Sequence, residues 1–112
     1  MPDDLFANLE IAPGEVKQQL DRGEKFFFVD VREPWEYQLC HIEGSKLIPL
    51  GQVSASVAEF EAADNVVLFC HSGRRSLDAA AWLRSQGVSS ARSMAGGIDR
   101  WSQEIDPRVV RY

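Results

Sequence analysis

Cys70-His71-Ser72-Gly73-Arg74-Arg75 is the segment best equipped to do chemistry. It follows the apolar run Val66-Val67-Leu68-Phe69, which reads as a strand, and precedes an alanine-rich stretch that reads as a helix. In open α/β sheets, ligands gather at the carboxyl ends of strands, where Cys70 falls. The next helix points its unpaired N–H groups and partial positive charge back at the loop. Gly73 lets the backbone turn so that successive amides face inward as a nest for an anion. Each effect favours a thiolate over a thiol, and Arg74 and Arg75 add two cations nearby. The implied chemistry is that of a nucleophilic cysteine in an anion-binding loop. His71, Ser72, Gly73, Arg74 and Arg75 form the expected cradle, with Arg75 the side chain that should matter most after Cys70. Free cysteines are usually small core residues. A glycine, paired arginines and a helix start directly after this one weigh against that reading here.

The elements that must position this loop alternate β-rich runs with helical stretches, the pattern of a parallel α/β sheet. Strands are expected at 8–11, 26–30, 46–48, 66–69 and 91–94. Pro13 opens a helix that Gly23 closes, with Val16 and Leu20 on one face. Pro34 starts a short helical turn through Tyr37, and 54–61 reads as helical. Ser76 is expected to cap a helix running to about Gln86, which Gly87 ends. Gly96-Gly97 reads as a turn before a last short helix at 98–103.

The chain has 112 residues, enough for one domain with its own core and little more. Its 45% hydrophobic and 26% charged content is that of a globular protein, not a disordered one. The net charge of −5 argues against nucleic-acid binding. That charge is uneven: residues 1–69 carry 5 basic and 13 acidic side chains, and residues 70–112 carry 7 and 4. A positive spot beginning at Cys70 would favour a small anion. The acidic opening Met1-Pro2-Asp3-Asp4 is unlike a signal peptide, and no apolar run reaches membrane-spanning length. The two cysteines, Cys40 and Cys70, have no ligand-like spacing to the two histidines, so no metal site is expected. Both thiols are expected to be reduced, in the cytoplasm.

The motifs together resemble the rhodanese-like domain family, nearly end to end. Asp30-Val31-Arg32-Glu33, Glu36-Tyr37, His41-Ile42-Glu43-Gly44 and Ile48-Pro49 follow its first block. Residues 70–76 look like its active-site loop, and Gly96-Gly97-Ile98 with Trp101 like its closing motif. The tail from Glu104-Ile105-Asp106-Pro107 to Tyr112 is similar to endings seen in the family. The resemblance implies a central five-stranded parallel sheet with helices on both faces, and a cofactor-free sulfurtransferase. In that scheme Cys70 takes a sulfur from an anionic donor such as thiosulfate, or from a protein persulfide, and passes it to a thiol or cyanide. The residues suit those demands: a nucleophile, amides for a charged persulfide and arginines for the departing anion.

Two rivals stand beside this reading. Cysteine phosphatases and arsenate reductases use a similar loop with one residue more between cysteine and arginine. Here four residues separate Cys70 from Arg75, and the tighter loop suits a single sulfur atom. The other rival is a persulfide relay or interaction module with little turnover of its own. Cys40 departs from the glycine common before the His-Ile pair; it is read as a spectator, with a resolving thiol as the alternative. His41 is expected to be structural, and His71 either meets substrate or is a solvated loop residue. Asp30 and Arg32 either border the pocket or pair with each other or with Glu33. Trp35, Trp82 and Trp101 are expected to pack at core or edge, with Trp35 also able to line the pocket.

Overall fold

Five strands form: β1 (Glu10–Ile11), β2 (Phe27–Asp30), β3 (Lys46–Leu47), β4 (Val66–Phe69) and β5 (Arg92–Met94), with the β-branched and aromatic residues concentrated in β2 and β4. The computed structural model describes residues 5–112, so the acidic opening of the sequence lies outside the described residues. All pairings are parallel, and the strand order is β1-β5-β4-β2-β3. The helices are α1 (Pro13–Asp21), α2 (Pro34–Leu39), α3 (Val57–Glu61), α4 (Arg74–Ser85) and α5 (Gly97–Glu104).

The central strand β4 is buried on both faces, and its side chains divide between them with the two-residue period of a strand. Val66 and Leu68 pack with Phe60 of α3 and with Ala79, Ala80 and Leu83 of α4. Val67 and Phe69 pack on the other face with Val16 of α1 and with Ile98 and Trp101 of α5. Helices therefore cover both faces of a five-stranded parallel sheet, as expected. Cys70 continues the Val66–Leu68 alternation and belongs to the α3/α4 face, whereas Cys40 belongs to the opposite one.

Several boundaries differ from expectation for local reasons. Strand β1 begins at Glu10, because the carbonyls of Leu5, Ala7 and Asn8 accept hydrogen bonds from the Arg84 guanidinium instead of a neighbouring strand. Asn8 also takes a left-handed φ of 54°. The stretch 54–61 is not one helix: Ser54–Ser56 forms a 3-10 turn, and the α-helix starts only at Val57. Helix α4 starts at Arg74, two residues before the expected Ser76 cap. Gly73, with φ of 104°, occupies the N-cap, a conformation open to glycine and costly for other residues.

Candidate active site

The sheet order places the ends of β2 and β4 side by side, with Asp30 opposite Phe69. Cys70 leaves β4 at that edge and is 1% exposed. Three donors converge on its Sγ: the amide of Gly73 at 3.1 Å, the amide of Ser76 at 3.4 Å and the Ser76 hydroxyl at 3.4 Å. The loop can aim amides inward because its carbonyls are engaged elsewhere. The amides of Ile98 and Asp99, in the first turn of α5, donate to the carbonyls of Cys70 (2.8 Å) and His71 (3.0 Å). That approach depends on Gly97: a Cβ there would collide with both carbonyl groups. The Gly96-Gly97 turn read from the sequence is thus also a contact surface for the loop.

The expected cradle residues are only partly brought together. Gly73 is buried and donates to the sulfur, while Ser72 is exposed. The Arg74 side chain is 85% exposed and lies 3.7 Å from Asp78, one turn along α4. Arg75 forms a two-pronged pair with Glu36, at 2.8 and 2.9 Å. Neither guanidinium is therefore an unpaired cation turned toward the sulfur. Arg75 remains within electrostatic range of Cys70, but its guanidinium is held by a carboxylate. The positive surplus after residue 70 is likewise no patch. Arg84 is buried among carbonyls, and Arg100, Arg108 and Arg111 pair with Glu104, Asp106 and Asp99.

Glu36 sits at the N3 position of α2, where it accepts the amide of Glu33 in half of a capping box. With Arg75 and the Tyr112 hydroxyl (2.6 Å) also donating, the carboxylate is fully satisfied although buried. The Arg75 hydrogen bonds, assisted by the Glu33 amide and Tyr112, outweigh burial and lower its pKa to about 2. Asp30 and Arg32 pair with each other, one of the alternatives read from the sequence, at 2.7 Å and with no exposure. Arg32 also donates to the Glu36 and Cys40 carbonyls and to the Tyr112 hydroxyl. Burial opposes its charge, but Asp30 and Tyr112 prevail and raise its pKa above the ordinary value.

A family model described as the rhodanese-like domain matches residues 12–104. The chain belongs to the rhodanese-like domain family. One relative is the thiosulfate sulfurtransferase GlpE of Pseudomonas paraeruginosa, 35% identical over 91 residues that make up 81% of each chain. Another is the probable adenylyltransferase/sulfurtransferase MoeZ of Mycobacterium tuberculosis, 36% identical over 104 residues; these are 91% of this chain but only 26% of that protein. Among solved structures, the human single-domain sulfurtransferase TSTD1 superposes with a TM-score of 0.76 at 26% identity, covering 86% of this chain and 96% of that one.

Within this rhodanese-like site, sequence reasoning missed the parts played by three residues, Ser76, Glu36 and Tyr112. Ser76 was read as a cap; it is instead turned inward to the sulfur and to Ser93, hydroxyl to hydroxyl at 2.7 Å. Glu36 stood in a motif block with no role attached. Tyr112 stacks on the His71 ring, centroids 4.0 Å apart and planes 9° from parallel, so His71 is neither free nor simply solvated. Only the position of Ser76, in the first turn after the loop, carried a local signal. His41 stacks on Tyr37. Cys40 is buried beside Arg32 on the other face from Cys70, which fits a spectator. Trp101 is core, and Trp35 is exposed with its ring inclined 73° to that of Tyr112.

Proposed function

We infer that this rhodanese-like chain transfers sulfane sulfur through a persulfide on Cys70. The observation that carries this reading is the convergence of two amides and a hydroxyl on a single buried sulfur. Such donors stabilise negative charge on sulfur before attack and after loading. In the first half-reaction the Cys70 thiolate attacks the outer sulfur of a donor such as thiosulfate. A new S–S bond forms, the old one breaks, and sulfite departs with the electron pair. In the second, a thiol or cyanide attacks the outer sulfur and Cys70 is released as thiolate. His71, Ser72, Gly73 and the backbone of Arg74 and Arg75 form the surrounding cradle. The chemistry requires a reduced thiol, hence a reducing compartment such as the cytoplasm. None of the described helices is long and apolar enough to cross a membrane.

Treatment with thiosulfate followed by intact mass spectrometry tests this reading. A gain of one sulfur is expected, mapped to Cys70, removed by cyanide and absent from Cys70→Ser. Loading of Cys70→Ser, or none of the native chain by any sulfane donor, would overturn it. A relay reading is favoured by the deep burial of Cys70 and by the much greater length of MoeZ. In that case a protein persulfide loads Cys70 readily while thiosulfate does so poorly.

A further inference from the structure

Cys70 can be approached from few directions. The core of β4 lies behind it, α4 and the Ser76–Ser93 pair close one side, and the start of α5 closes another. The larger surface clefts lie elsewhere, one of about 720 Å³ along the tail and α2 and one of about 460 Å³ at the opposite end of β2. What remains is the side marked by exposed Ser72 and by half-buried His71 and Arg75. Tyr112 stands on that side. Its ring lies flat on His71, the residue bonded directly to Cys70, and the Trp35 ring stands nearly perpendicular to it, with centroids 6.1 Å apart.

Tyr112 is held by its hydroxyl. Its hydroxyl accepts from Arg32 at 3.0 Å and donates to Glu36 at 2.6 Å, joining the buried Asp30–Arg32 pair to the part-buried Glu36–Arg75 pair. Hydrogen bonds to charged groups are stronger than neutral ones, so the phenol is well held. The preceding tail is pinned to α5: Arg111 pairs with Asp99 at 2.9 Å, and Ser102 donates to the Val109 carbonyl. The aromatic ring beside His71 is therefore held in place.

We propose that Tyr112 is a specificity-determining residue that narrows the entrance to the Cys70 sulfur and favours thin acceptors over bulky thiols. This rests on the persulfide reading. The test loads the native chain, Tyr112→Phe and Tyr112→Ala with thiosulfate, then measures discharge by cyanide and by glutathione. Tyr112→Ala should raise the glutathione-to-cyanide rate ratio about tenfold, the scale set by opening a side-chain-sized gap in a site wall. Tyr112→Phe keeps the ring and should leave the ratio near native. Looser packing alone would slow both acceptors together and leave the ratio unmoved. An unchanged or lower ratio in Tyr112→Ala overturns the proposal while the persulfide reading stands. If neither thiosulfate nor any other sulfane donor loads the native chain, both fall. Tyr112→Leu makes the same comparison should Tyr112→Ala not fold.

Discussion

Replacing Glu36 with glutamine isolates the device that ties α2 to the head of α4. The carboxylate moves from the ordinary 4.5 of a glutamate to about 2 in the folded chain. That shift corresponds to roughly 3 kcal/mol of stability at neutral pH. The partner Arg75 is 34% exposed, and water screens its side of the pair, which brings the expected loss to about 2 kcal/mol. The sign is set by which state binds the proton more tightly. Unfolded Glu36 does, so its contribution is complete above pH 4.5 and is lost as pH falls through about 2. Urea unfolding at pH 7 should therefore show Glu36→Gln destabilised by about 2 kcal/mol, and at pH 3 about half of that difference should be gone. A cycle with Arg75→Met should assign most of the loss to the pair. A loss below about 0.5 kcal/mol at pH 7, or one equal at both pH values, would refute the reasoning.

Two further substitutions probe the loop itself. Ser76→Ala removes a donor 3.4 Å from the Cys70 sulfur and strands the Ser93 hydroxyl. Single-turnover loading should slow about tenfold, with about 1 kcal/mol lost in denaturant unfolding; loading within about twofold of native would remove Ser76 from the reaction. Gly97→Ala places a Cβ against the Cys70 and His71 carbonyls at a φ of 61°. It should cost about 3 kcal/mol and abolish most loading, since the loop must move to admit it; native-like unfolding would show that the loop and α5 are not in contact.

Legibility in the sequence followed the range of the interactions. β4 was readable because a strand buried on both faces is apolar at every position, and Pro13 and Pro34 each mark a helix start. The cysteine loop was readable because strand end, glycine and helix start lie within a few residues. The partners of that loop were not. Glu36 reaches Arg75 across 39 residues, and Tyr112 reaches Glu36 across 76. Those contacts exist only because the strand order brings the ends of β2 and β4 together, which no local pattern encodes. Ser76 was misread for a different reason. A serine near a helix start is ordinarily a cap, but the left-handed backbone at Gly73 starts the helix early and turns Ser76 inward.

The pairing of Arg75 also bears on what the loop is built to hold. A loop that binds a phosphate dianion needs a fixed cation to offset its charge. Here the nearer arginine is matched by Glu36, and the other stands in solvent beside Asp78. What faces the sulfur is a set of neutral dipoles: two amides and a hydroxyl. Neutral donors at 3.1 to 3.4 Å suit a single, compact negative charge and offer little to a large dianion. The four-residue spacing from Cys70 to Arg75 and the capture of Arg75 by Glu36 therefore weigh the same way, against phosphoryl chemistry. By the same argument, the site is matched more closely to a single sulfur carried on Cys70, as proposed, than to the thiosulfate that would deliver it.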